Sequence, residues 1–297
     1  MLGAAEGGTF GGPMLRFVVA LQAEARPIVD RFRMEAVFES HPFRVYRGDE
    51  SWLIVSGLGK AAAAAATAYL HLLSGGMTGK AWFNVGIGGH GLHLVGDSFL
   101  AHKVTDQASG LSWYPQLVID APRPTAPILT VEKVEEEYTP PWIYETQAAG
   151  FFPTACRFST AELVHCFKVI SDNPDATLSR RMSTSYVQSL VEQNLRPLQE
   201  FARGLAGLAR EVAALNADPP GYAGLLGRWQ FTVTEQRRLR RLLQRLAVLA
   251  PGELYGGAEP GAAREARDML EVLETRISEI PIRLGAPAGA PVGIPIP

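Results

Sequence analysis

Phe83–Asp97 reads FNVGIGGHGLHLVGD, and Gly86, Gly88 and Gly91 within it spell G-x-G-x-x-G. A dinucleotide-binding loop of that spacing needs a strand before the glycines and a helix after them, so that the helix N-terminus meets the pyrophosphate. The strand is present as Lys80–Val85, KAWFNV. The helix is absent: LHLVGDSFLAHKVTD alternates as a strand does, with a turn at Gly96-Asp97. The cluster therefore reads as the end of a buried strand whose glycines let other groups come close to the backbone.

Around this centre the chain alternates short apolar runs with helical ones. Leu15–Leu21 (LRFVVAL) is a strand followed by the helix-like AEARPIVDRFRM; Phe43–Arg47 and Trp52–Val55 form a hairpin across Gly48-Asp49; SGLGK opens the Ala-rich helix AAAAAATAYLHLL. Asp97–Val104 and Leu117–Ile119 are expected to be further strands. This order predicts an α/β fold, a three-layer sandwich with a mixed central sheet. After about Ser179 the character turns helical. Tyr186–Leu215 is one or two amphipathic helices, and Asp218-Pro219-Pro220-Gly221 interrupts. Thr232 and Glu235 then have the spacing of a capping box ahead of a helix with Leu239, Leu242, Leu243 and Leu246 on one face and five arginines elsewhere. Those arginines read as a solvated basic face rather than a nucleic-acid patch. Ala262–Glu279 is a third helix of this region.

The bulk numbers exclude several classes. The 297 residues are 47% hydrophobic and 20% charged with a net charge of −2, ordinary globular values that suggest neither a nucleic-acid partner nor a membrane surface. Two cysteines, Cys156 and Cys166, form no C-x-x-C, which fits a reducing cytoplasm. The histidines show no metal-ligand spacing near carboxylates, so no metal and no cofactor is expected. Residues 1–13 (MLGAAEGGTFGGP) read as a disordered leader or an over-extended start before Met14, and 281–297 as a Pro/Gly-rich disordered tail.

Several blocks, taken in order, resemble the nucleoside phosphorylase superfamily, and most closely its 5′-methylthioadenosine/S-adenosylhomocysteine nucleosidase branch. LRFVVALQAEARPI resembles the opening strand and acid-bearing loop, VSGLGKAAAAAA the S-G-I-G-K-x-x-A-A block, FNVGIGGHGLHLVGD the N-x-G-x-x-G-G…V-G-D block, ETQAAGFF the D-M-E-A-A-G block, and FKVISDNPD the closing V-R-x-I-S-D strand. The resemblance covers roughly residues 14–205. The stretch 216–280 is a helical extension outside it. Superfamily members self-associate, so a homodimer is the expected assembly, in the cytoplasm.

What the resemblance implies is cleavage of a purine N-glycosidic bond. Asp172 matches the general acid that protonates the leaving base, and Glu24 the base that activates water; the readings from the residues alone are a turn Asp in DNPD and a first-turn helix Glu. Gly86, Gly88 and Gly89 form a backbone wall against ribose and base, with Ser171 beside the acid. Three departures touch substrate recognition. Ile87 stands where the nucleosidases carry serine. Gln147 stands for the glutamate that clasps the ribose hydroxyls, with Thr146 beside it and Glu145 as a substitute two residues earlier. PILTVEKVEEEY lacks the G-D-x-F stretch that supplies an aromatic platform, which leaves Phe151, Phe152, Trp113 or Tyr114 to stack on the purine. No arginine-rich phosphate loop is present, which favours hydrolysis over phosphorolysis. The expected ligand is a purine nucleoside: methylthioadenosine, S-adenosylhomocysteine or another such nucleoside, for example a futalosine-like compound. The rivals are a phosphorylase and a catalytically silent nucleoside-binding or scaffold protein.

Overall fold

A computed structural model describes residues 12–38, 41–135, 137–177, 183–215, 217–250 and 265–281. Apart from Gly12, Pro13 and Pro281, the expected leader and tail lie outside the described residues. By its internal contacts the chain divides into two compact units, Met1–Leu215 and Asn216–Pro297.

In the first unit ten strands form one mixed sheet: β1 (Leu15–Val19), β2 (Glu35–Ala36), β3 (Arg44–Arg47), β4 (Ser51–Val55), β5 (Ala81–His90), β6 (Ser98–Asp106), β7 (Ser112–Trp113), β8 (Thr125–Thr130), β9 (Ile143–Glu145) and β10 (Val164–Asp172). The long central strand β5 runs parallel to β1 on one side and to β10 on the other. From β1 the sheet continues as β4, β3 and β2, with the expected hairpin antiparallel between β3 and β4. From β10 it runs through β6, β8 and β9, and β9 pairs back onto β5, so these five strands close on themselves. The glycine cluster thus lies within strand β5, and the turn of Leu92–Leu94 follows it where a dinucleotide site would need a helix. One expected strand is absent. Leu117–Ile119 has no ladder, and Leu117 and Ile119 pack as irregular chain against the first core.

The strands are apolar at successive positions because both faces of the sheet are covered. Phe17, Val19, Phe83, Val85, Phe167 and Val169 point to one side, where they meet α1 (Gln22–Arg31), α4 (Thr184–Gln193) and α5 (Leu195–Leu215) through Ile28, Leu190 and Phe201. Their neighbours Val18, Trp82, Cys166 and Ile170 point to the other side, against Ala63, Ala66 and Leu70 of α2 (Lys60–Leu73) and Phe151 and Phe152 of α3 (Ala148–Ala155). The period of two thus fills two cores at once, which makes three layers. The helical stretch from Tyr186 is two helices, broken at Asn194, whose side chain donates to the Leu190 and Gly96 carbonyls.

Alanines and a glycine let α2 and α3 approach closely. A Cβ on Gly150 would overlap the carbonyl oxygen of Lys60 at the start of α2. Backbone cannot yield as a flexible side chain does, so Gly150→Ala should lower unfolding free energy by about 3 kcal/mol, measured by urea denaturation. An unchanged midpoint would mean that the helices separate freely.

The second unit has its own core. Leu239, Leu242, Leu243 and Leu246 of α7 (Val233–Leu249) pack with Tyr222 and Leu225 of α6 (Tyr222–Arg228) and Met269, Leu270, Leu273 and Ile277 of α8 (Ala266–Glu279). The capping box at Thr232 and Glu235 is formed. On the polar side Arg238 pairs with Glu274 and Arg240 with Asp218, while Arg237, Arg241 and Arg245 are exposed. The third helix starts at Ala266; 262–264 lie outside the described residues. No helix among the described residues is long and apolar enough to cross a membrane.

Candidate active site

The ends of β5, β9 and β10 and the start of α1 surround a pocket of about 80 Å³, partly open to solvent. It is lined by Glu24, Ile87, Gly88, Gly89, Glu145, Thr146, Gln147, Ser171 and Asp172. Of the candidate catalytic, wall and ribose-binding residues Gly86 stays outside the lining, as do the four aromatic candidates. Residues far apart in the chain are thus brought to one place.

Glu24 is held from three sides. Its Oε2 accepts from the backbone N–H of Ala20 and Leu21, both at 2.8 Å, and its Oε1 from Ile87 N–H at 3.1 Å. Glu24 thus stands in the first turn of α1 and lines the pocket with the same side chain. Burial raises its carboxyl above the ordinary glutamate value, outweighing the backbone donors and the nearby Lys168 ammonium, which pull it down. A carboxylate so raised is a better proton acceptor near neutral pH.

Behind it lies a charge that went unnoticed in the sequence. Lys168, on β10, is almost wholly buried, with Nζ 2.8 Å from Glu145 Oε2 and 2.7 Å from Asn84 Oδ1. Gly86 explains itself here: a Cβ would stand 2.9 Å from Glu24 Oε1 and 3.5 Å from Lys168 Nζ. Gly86 makes room for the buried charges rather than walling the pocket. Gly88 leaves space for β9, since a Cβ would come within 2.7 Å of Ile143 Cγ2.

Glu145 and Gln147 are engaged within the protein. Glu145 Oε1 accepts from Thr130 Oγ1 and Ala148 N–H, and Oε2 from Gln147 N–H, so the carboxylate caps the first turn of α3. Gln147 Oε1 accepts from Asn84 Nδ2, and its Nε2 donates to Ser56 Oγ and the Gly57 carbonyl. A glutamine suits this spot because it must accept on one side and donate on the other.

Asp172, at the end of β10, is buried and accepts from Ser171 Oγ and from the hydroxyl of Tyr138. The Tyr138 ring lies so close over Gly89 that a Cβ there would overlap it. With Tyr144, centroids 5.3 Å apart, it gives the pocket its aromatic wall. The aromatic residues expected for this task are elsewhere. Phe151 and Phe152 are core, Trp113 packs against that same core, and Tyr114 is exposed beneath Lys103. Tyr138 is the last residue of the quoted PILTVEKVEEEY, in an irregular segment seven residues before Glu145, and is passed over in the sequence. Lys168 carries a sequence signal, a lone charge in the apolar run VHCFKVI.

His90 is buried outside the pocket; its Nδ1 accepts from the N–H of Leu92 and His93 and fixes the turn after β5. Burial pushes the Cys156 thiol up to about 11 and raises that of Cys166, so neither is a ready thiolate. Among the described residues no group of three His, Cys, Asp or Glu is placed to hold a metal ion.

No protein-family model and no curated protein matches the sequence. Solved structures do match the fold. One is the 5′-methylthioadenosine/S-adenosylhomocysteine nucleosidase of Helicobacter pylori with butyl-thio-DADMe-Immucillin-A, at 13% identity over 65% of this chain and 99% of that one, TM-score 0.54. Another is the futalosine hydrolase of Helicobacter pylori, at 12% identity over 63% and 96%, TM-score 0.52. A third is the Arabidopsis thaliana 5′-methylthioadenosine nucleosidase, at 15% over 65% and 96%, TM-score 0.52. The chain therefore carries the α/β fold of these nucleosidases and of the futalosine hydrolase.

Proposed function

We propose that the chain hydrolyses the N-glycosidic bond of a purine nucleoside, an activity of the methylthioadenosine/S-adenosylhomocysteine type. The observation that carries this reading is the meeting of Glu24 and Asp172, from two elements, in one pocket. Asp172, protonated, gives its proton to N7 of the base as the C–N bond breaks and the bonding pair moves to the base. Glu24 takes a proton from the water that attacks the sugar carbon. Gly88 and Gly89 form the wall behind the base, Ile87 and Thr146 flank the sugar, and a ribose hydroxyl would share Glu145 Oε2 with Lys168. Among the described residues Lys168 is the only cationic one lining the pocket and is already paired, and Arg26 is exposed and paired with Asp30. A phosphate nucleophile thus finds no bidentate partner among the described residues, which favours water.

Chromatography of free base released from methylthioadenosine, S-adenosylhomocysteine, 5′-deoxyadenosine, adenosine and inosine tests this, with and without phosphate. Release without phosphate is expected; release only with phosphate would transfer the chain to the phosphorylases. A silent nucleoside-binding protein is the second reading, favoured by Tyr138 on Asp172. Binding without release from any of the five would establish it. The homodimer and the cytoplasmic site remain part of this proposal.

A further inference from the structure

At the other end of α1 from Glu24, the chain forms an open hollow of about 720 Å³ between the end of that helix and one face of α5. Gln199, Arg203, Ala206 and Arg210 lie on that face at helical spacing, and Arg31 and Arg33 face them. The two acids of the hollow are taken: Asp30 pairs with Arg26, and Glu50 with Arg210. Among the described residues Arg31, Arg33 and Arg203 have no acidic partner.

Arg31 has a local reason, since a cation suits the C-terminus of a helix. Arg33 has the opposite of one. The N–H of Arg33 bonds to the Asp30 carbonyl and that of Met34 to the Val29 carbonyl, which closes α1 in a Schellman turn. In that turn Arg33 takes the left-handed position, φ 51°, where glycine is favoured and a side chain is strained. The turn is seated firmly, because Gly48 lacks the Cβ that would press on the Phe32 and Arg33 carbonyls at 3.1 and 3.3 Å. An exposed arginine thus lines the hollow at a backbone position that disfavours a side chain.

We propose that this hollow is an anion site for a chain of two or three phosphates, with Arg33 and Arg203 as the main contacts and Arg31 at the rim. Guanidinium forks match phosphate oxygens. Three uncompensated charges from two elements suit a multiply charged group better than a single phosphate. The site stands independently of the nucleosidase reading.

Calorimetric titration of the full chain with inorganic tripolyphosphate, at low ionic strength, tests it. Tripolyphosphate should bind, more weakly as salt is added, and both Arg33→Gly and Arg203→Ala should weaken it about tenfold. Arg33→Gly relieves the left-handed strain, so its melting temperature should not fall, which separates lost binding from lost fold. Base release should be unchanged in both variants. ATP binding equal to tripolyphosphate would mean that the phosphate chain alone is read, and tighter ATP binding sensitive to Arg33→Gly that a nucleotide is the source. The proposal is overturned if tripolyphosphate does not bind, or if both variants bind it as the natural chain does. Binding of a single-stranded oligonucleotide in its place would overturn it too.

Discussion

Asp172→Asn should reduce the release of free base by about 10²–10⁴-fold, the usual contribution of a positioned general acid. Asparagine keeps the shape of the side chain but cannot carry the proton. The fold should survive, because the two groups that donate to Asp172 are hydroxyls, Ser171 and Tyr138, and a hydroxyl can turn to accept from an amide. The loss should therefore fall on kcat and leave KM nearly as it was, since the proton is needed only as the bond breaks. Chromatographic rates and a melting curve on the same preparation decide the matter. Near-normal kcat in a folded variant would remove Asp172 from the chemistry and return it to the role of a turn aspartate.

The second large effect is on stability. Lys168→Met should cost about 3–5 kcal/mol, because it leaves buried carboxylates without their counter-charge while the pocket floor stays closed to water. The pH dependence has a definite sign. Glu24 already has its carboxyl raised above 4.5 by burial, and the Lys168 ammonium is among the groups that hold it down. Without that ammonium the folded-state pKa rises further. The contribution of such a group is fully present below its unfolded value and is lost as pH climbs through the folded one. The deficit of Lys168→Met should thus be least in acid and grow toward neutral pH, read by urea denaturation at about pH 5 and about pH 8. A deficit that shrinks as pH rises would show that Glu24 does not feel Lys168. If Glu24 is the base, the acid limb of the rate profile of any active variant moves upward as well.

Much of the fold could be read from strands apolar at every position, which only a sheet covered on both faces requires. The closure of five strands could not. It rests on β9 pairing back onto β5 at Gly89 and His90, beside a bulge in β10 between Ile170 and Asp172 that no pattern of side chains announces. The same bulge brings Asp172 opposite Gly89. In the pocket, residues beside glycine blocks were legible because close approach leaves a mark in the sequence. Yet Gly86 and Gly88 make room for protein groups, Glu24 and Ile143, so the mark says that something approaches and not what. Tyr138 stands in plain view at the end of PILTVEKVEEEY, but its place depends on how an irregular segment returns across the sheet.

Tyr138 has a consequence for affinity. Its ring rests on Gly89 and its hydroxyl on Asp172, where a base bound to that acid would stand. Only the fraction of molecules with the ring turned away can accept such a ligand, and the apparent dissociation constant is the intrinsic one divided by that fraction. If the ring is away in about one molecule in a hundred, affinity measured in solution is about a hundredfold weaker than the open pocket provides. Weak binding by the whole population would then coexist with a well-made site.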